Sequence, residues 1–208
     1  MPQVVFLQVG DDIELATLMV KSVQRAIPGM DIVQLSDLAS PQVDGTSDIR
    51  RRPYNGLLMP FRLEHLAALD GEWISLDTDV LVMADLRPVF EQAFDVALTY
   101  RRGPIWCDGV DITIAMPFNT GVMFSRNPAF WQQAHERLLH MPKEAHQWWG
   151  DQLAVKAISE RNSFNVLHLD CEEWNHTPAN ESSYPPAKVL HFKGSRKEWM
   201  KNVDFYLR

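Results

Sequence analysis

The stretch "EWISLDTDVLVMADLRPVF", residues 72–90, sets two carboxylates, Asp77 and Asp79, one residue apart at the end of an apolar run. Trp73, Ile74 and Leu76 read as a buried strand, and the chain turns apolar again directly after Asp79. A simple solvated turn has no need of hydrophobic flanks on both sides. Side chains alternate along an extended chain, so Asp77 and Asp79 are expected to point one way and Thr78 the other. Two anionic donors held this close repel each other unless a cation joins them. A hard divalent ion, Mn²⁺ or Mg²⁺, is the natural partner, and it keeps positions for water and phosphate oxygens.

The segments on either side give the context of that pair. "QVVFLQV" (3–9) is a near-continuous apolar run that ends in Gly10-Asp11-Asp12, as a buried parallel strand and its turn would. Ile13, Ala16, Met19, Val20, Val23 and Ile27 then recur at helical spacing, and Pro28-Gly29 stops the helix. "DIVQL" (31–35), "WISL" (73–76), "DVALTY" (95–100), "FNTGVMFS" (118–125), "NVLHL" (165–169) and "KVLHF" (188–192) read as further strands. Residues 57–69, 128–141 and 151–158 read as helices, and 36–56, 101–117 and 175–187 as loops. Strands alternating with helices predict an α/β fold with a mostly parallel sheet, Rossmann-like in layout. In such sheets ligands bind beyond the carboxyl ends of the strands, where Asp11, Asp12, Asp77 and Asp79 would share one rim.

Composition narrows the function. A chain of 208 residues suits one α/β domain, and 46% apolar residues are enough to give it a core. A formal charge of −7 makes nucleic acid an unlikely partner, since such binders carry a basic face. The run Arg50-Arg51-Arg52 is a local exception, read as a solvated loop. Cys107 and Cys171 lack metal-type spacing and read as ordinary thiols of a reducing compartment. No leader-like start and no apolar run near about 18 residues is visible, so the expectation is a soluble cytoplasmic protein without a membrane span.

Beyond these patterns, "WISLDTDVLVMADLRPVF" (73–90) resembles the D-x-D segment of retaining glycosyltransferases with the GT-A fold, in particular glycosyltransferase family 8. Other segments agree in order. "FNTGVMFSRNPAFW" (118–131) resembles the family's Phe-Asn-Ala-Gly segment, and "GDQLAVKAI" (150–158) its Asp-Gln helix start. "WN" (174–175) matches the short segment before the last loop, and "HFKGSRKEW" (191–199) is similar to its His-Phe-x-Gly-x-x-Lys-Pro-Trp terminus. Glu198 stands where the family has proline, and Gly10-Asp11-Asp12 where it has Ala-Asp-Asp. The chain is shorter than typical members, and the expectation is that the basic, membrane-associating tail of some is missing.

The resemblance implies one GT-A-like catalytic domain over 1–208, with a nucleotide-binding half of about 1–100 and an acceptor-side half of about 101–208. It implies transfer of a sugar from a nucleoside-diphosphate donor, a UDP-sugar, to the hydroxyl of a glycan or other acceptor with retention of configuration. Asp77, Asp79 and His191 would hold Mn²⁺ or Mg²⁺. Lys197 would meet the diphosphate, Gly194 would let the backbone approach a phosphate, and Arg62 would pair with Asp77 or a phosphate unless it is a surface arginine. Val9, Asp11, Asp12 and Thr78 would border the nucleoside, although either aspartate could equally cap the next helix. Asn119 and Asp151 would bond sugar hydroxyls, and Gln152 would lie near the reacting sugar face, which makes Asp151 and Gln152 the candidate catalytic pair. Trp106, Trp148 and Trp149 are candidate stacking platforms, with Trp148-Trp149 preferred. A nucleotidyltransferase, or a non-catalytic protein that binds a sugar nucleotide or glycan, remains the alternative. Donor sugar, linkage and oligomeric state are not legible.

Overall fold

The structure, a computed structural model, describes residues 1–146, 149–181 and 184–202; Trp148 and the Cys107 side chain lie outside the described part. Strand β1 (Gln3–Gln8) leads into helix α1 (Glu14–Ala26), followed by β2 (Ile32–Ser36), β3 (Asp48–Arg51) and α2 (Leu58–Ala67). β4 (Trp73–Leu76), β5 (Val80–Val82) and β6 (Val96–Tyr100) come next, then the short strands β7 (Trp106–Cys107) and β8 (Val110–Asp111). The second half continues through β9 (Phe118–Ser125), α3 (Pro128–Leu139), α4 (Gly150–Ser159), β10 (Val166–Asp170), α5 (Cys171–Trp174), β11 (Val189–His191) and α6 (Lys197–Lys201).

The main sheet has seven strands in the order β10-β6-β9-β4-β1-β2-β3. All neighbours run parallel except β9, which is antiparallel to both β4 and β6. The fold class expected from the sequence is therefore observed. Alternation along β1 shows why the sheet must be covered on both faces. Val4 and Phe6 enter one apolar cluster with α1, and Val5 enters the other with α2, α3 and α4. Pro60 sits in the first turn of α2, where its missing N–H breaks no helical bond.

Three elements differ from the sequence expectation. Residues 48–51 are an edge strand, not part of a loop. Its side chains are mostly exposed and charged, so it carries no apolar alternation to read. Arg51 donates to the carbonyls of Asp37 and Ser40, and Arg52 pairs with Glu64 at 3.1 Å. The 101–117 connection contains the β7–β8 hairpin, turning through Asp108 and Gly109, both at positive φ. The apolar residues after Asp79 form β5, which pairs antiparallel with β11 in a small second sheet. That pairing sets His191 opposite Val80 and ties the end of the chain to the D-x-D turn.

Candidate metal and sugar-nucleotide site

The site lies at the C-terminal ends of β1 and β4, in a cavity of about 530 Å³. Residues 77–79 form a tight turn instead of the extended alternation expected, and Thr78 lines the cavity alongside both aspartates. The turn still brings the carboxylates to one place. His191 Nε2 is 3.1 Å from Asp79 Oδ1 and 3.7 Å from Asp77 Oδ2. One donor atom from each of the three residues fits within a 4.8 Å group.

The imidazole is held from behind. His191 Nδ1 lies 2.8 Å from Asn175 Oδ1. The Asn175 amide nitrogen donates to Thr99 Oγ1 at 2.8 Å and to the Asn119 carbonyl at 3.1 Å, which fixes its oxygen toward the ring. Nδ1 therefore carries a proton, which leaves Nε2 as the nitrogen that faces the two carboxylates. Two carboxylates at that nitrogen call for positive charge there, a proton or a metal ion. Two oxygen donors and an oriented imidazole suit a divalent first-row ion or Mg²⁺, so the residues fit the group that the motif implies.

Gly121 makes this approach possible. A Cβ built there would lie 2.2 Å from His191 Cε1 and 2.5 Å from Nδ1. β9 carries Gly121 at a register shift against β6, between Leu98 and Thr99, and the irregularity turns Asn119 and Thr120 into the cavity wall.

Behind Asp77 stands Arg62, 8% exposed, on α2. Its guanidinium donates to Asp77 Oδ1 at 2.8 Å, Asp151 Oδ2 at 3.0 Å and the Thr120 carbonyl at 2.7 Å. The surface alternative for Arg62 is thus excluded. Asp151 also accepts from Thr120 Oγ1 at 2.9 Å and from the Gln152 amide at 2.9 Å, so its carboxylate is largely spent on orienting neighbours. Burial pushes the Asp77 carboxyl up, and Arg62 and His191 only partly offset this. Burial acts on Asp79 in the same sense, but His191 and the Lys197 ammonium, 3.3 Å from Oδ2, outweigh it and hold that carboxyl down.

Val9, Asn119, Gln152, Gly194 and Lys197 line the same cavity. Asp11 and Asp12 are exposed and not part of its wall, and Asp12 Oδ1 accepts from the Glu14 amide at the start of α1. Trp149 lines the cavity at φ 66°, a left-handed backbone unusual for so large a residue, whereas Trp106 is not in the cavity wall and is 67% exposed. Gly150 follows because a Cβ there would sit 1.5 Å from the Ala145 carbonyl oxygen. The sequence did not single out Gly121, Asn175, Thr120, Arg101 or Lys193 as part of the site. For Gly121 and Asn175 the signal was present, inside the quoted "FNTGVMFS" and "WN" segments. Lys193 likewise lies inside the quoted "HFKGSRKEW" segment, whereas Arg101, beside Arg102, has no spacing to mark it. Burial, with Arg101 nearby, holds the Lys193 ammonium down at about 8.

No family model matches this chain, and neither does any curated protein sequence. Solved structures do match, glycosyltransferases among them. The glycosyltransferase GlyE of Streptococcus pneumoniae TIGR4 superposes with a TM-score of 0.63 at 17% identity, over 100% of this chain and 60% of that one. The apo bifunctional glycosyltransferase WbbM gives 0.59 at 14% identity, over 93% and 46%. The galactosyltransferase LgtC, in complex with donor and acceptor sugar analogues, gives 0.56 at 15% identity, over 97% and 96%. The chain thus spans about half of the first two proteins and nearly all of the third. It has the mixed α/β fold of these glycosyltransferases.

Proposed function

We propose that this protein is a metal-dependent glycosyltransferase of the family 8 type. It would move a sugar from a UDP-sugar to a hydroxyl of a glycan acceptor, with retention at the anomeric carbon. The observation that carries the proposal is the convergence of Asp77, Asp79 and the oriented Nε2 of His191 at the rim of a cavity large enough for a sugar nucleotide. A fold shared with LgtC, crystallised with donor and acceptor analogues, supports it.

Asp77, Asp79 and His191 would hold Mn²⁺ or Mg²⁺, which supplies Lewis-acid stabilisation of the negative charge that builds on a departing diphosphate. The chain's own groups do the rest. Arg62 fixes Asp77 and cannot swing away without breaking its bonds to Asp151 and Thr120. Lys197 is half-exposed in the cavity wall, where its ammonium would meet a phosphate. Gly194, at φ 60°, keeps the backbone clear for a phosphate to approach. Val9 and Thr78 border the nucleoside, while Asn119, Asp151 and Gln152 face the donor sugar, Gln152 at the reacting side.

Release of UDP from UDP-sugars, followed with and without Mn²⁺, tests this. Wild type should release UDP only with the metal, and Asp79→Ala should abolish the stimulated rate while unfolding as cooperatively as wild type. An unchanged rate in Asp79→Ala would exclude the assignment.

A further inference from the structure

We infer that the sugar side of this cavity is built for an anionic saccharide, one bearing a carboxylate or phosphate, held between Arg101 and Lys193. The inference rests on the sugar-nucleotide reading above and names the substrate class of that same site.

Four cations line the cavity: Arg62, Arg101, Lys193 and Lys197. Arg62 is answered by Asp77 and Asp151, and Lys197 by Asp79. Arg101 and Lys193 have no carboxylate partner among the described residues. The Arg101 guanidinium bonds only neutral acceptors: Gln152 Oε1 at 2.8 Å and the carbonyls of Met116 and Phe118. Its buried Nε has no partner. The Lys193 ammonium makes no hydrogen bond or ion pair with the described residues, although its side chain is half-buried in the cavity wall. Two like charges kept together and partly desolvated cost stability, and a protein tolerates that where an anion is to be bound.

Formal charge points the same way. Asp151 balances Arg62, and Asp77 with Asp79 balances a dication. Lys197, Arg101 and Lys193 then face the two negative charges of a diphosphate diester, which leaves one cation without a counterpart if the sugar is neutral. The position is also that of the sugar. Arg101 holds the side chain of Gln152 and follows β6, while Lys197 stands on the Asp79 side.

The anion can belong to the donor or to the acceptor, and calorimetry with Mn²⁺ separates the two. In the donor arm UDP-glucuronate is compared with UDP-glucose. In the acceptor arm, with UDP saturating, methyl glucuronide and glucose 6-phosphate are compared with methyl glucoside. In one arm the anionic sugar should bind about tenfold tighter, the value of one charge-assisted hydrogen bond. Lys193→Gln should remove most of that preference while weakening UDP itself far less, and Arg101→Lys, which keeps the charge, should retain part of it. Equal binding of charged and neutral sugars in both arms, with UDP still bound, overturns the inference and spares the enzyme assignment. So does a Lys193→Gln variant that weakens UDP itself to the same extent. Failure of UDP to bind with Mn²⁺ removes both.

Discussion

His65 and His191 are buried to nearly the same degree, 2% and 3% exposed, yet the regions around them are built on opposite terms. His65 lies in the apolar packing of α2, edge-on to Phe61 at 4.6 Å, and its Nε2 has no hydrogen-bond partner. Burial and nearby Arg52 push it down to about 4, so it is neutral at physiological pH. His191 lies between two carboxylates and an amide, with every ring nitrogen engaged. Burial alone therefore does not mark a functional histidine. What marks His191 is a ring fixed by Asn175 with its Nε2 aimed at two carboxylates, in a place where the backbone has been thinned to admit it.

The largest effect should come from breaking that thinning. In Gly121→Ala the new methyl would stand 2.2 Å from His191 Cε1, and since the obstacle is a ring anchored by Asn175, the ring must leave its place. Affinity for Mn²⁺ should fall roughly a hundredfold, the upper range for disturbing a ligand's support, with about 1–3 kcal/mol of stability lost to overpacking. Calorimetric titration of Mn²⁺ reads the first and urea unfolding the second. Unaltered Mn²⁺ binding would mean that His191 is not a ligand. Asn175→Ala should be milder, roughly tenfold in Mn²⁺ affinity, because the ring keeps its place but loses the partner that fixes its tautomer. The same titration checks it.

Much of the His191 region was legible in the sequence, because its parts are short-range. The D-x-D pair follows its strand directly, and His191, Gly194 and Lys197 are spaced within one turn and a helix start. Arg62 was legible only as a basic residue nearby, and its bridge to Asp77 and Asp151 required the tertiary packing of α2 against α4. Arg101 and Lys193 were given no role, although Lys193 stands inside the quoted 191–199 segment. They come from the ends of β6 and β11, and nothing local distinguishes a cation that lacks a partner from one that has found it. The β3 edge strand was missed for a related reason, since an exposed charged strand carries no apolar period.

The His65 region yields a pH dependence of stability. A histidine held at about 4 in the folded chain and near 6.5 when unfolded takes up its proton only on unfolding in between. The unfolded state then binds more protons, so stability is complete above about pH 6.5 and is lost as pH falls toward 4. The loss from this group should be about 2 kcal/mol between pH 7 and pH 4.5. His65→Leu should flatten the difference between urea unfolding curves at those two pH values. An identical pH slope in wild type and His65→Leu would show that His65 is solvated or paired.

The smallest effect concerns Trp149, where strain and function separate. Its φ of 66° costs a large side chain about 1–2 kcal/mol, and only glycine escapes the cost. Its indole lines the cavity at 46% exposure, as a surface on which a sugar ring could stack. Trp149→Ala keeps the strain and loses the indole, whereas Trp149→Gly loses both. The two variants should bind saccharide equally weakly, each below wild type, while Trp149→Gly unfolds later than Trp149→Ala by about 1 kcal/mol, part of the relief being offset by the freer unfolded chain. If Trp149→Ala binds sugar as wild type does, the indole packs the loop and is no platform. If the two variants unfold together, the left-handed backbone at 149 carries no strain to release.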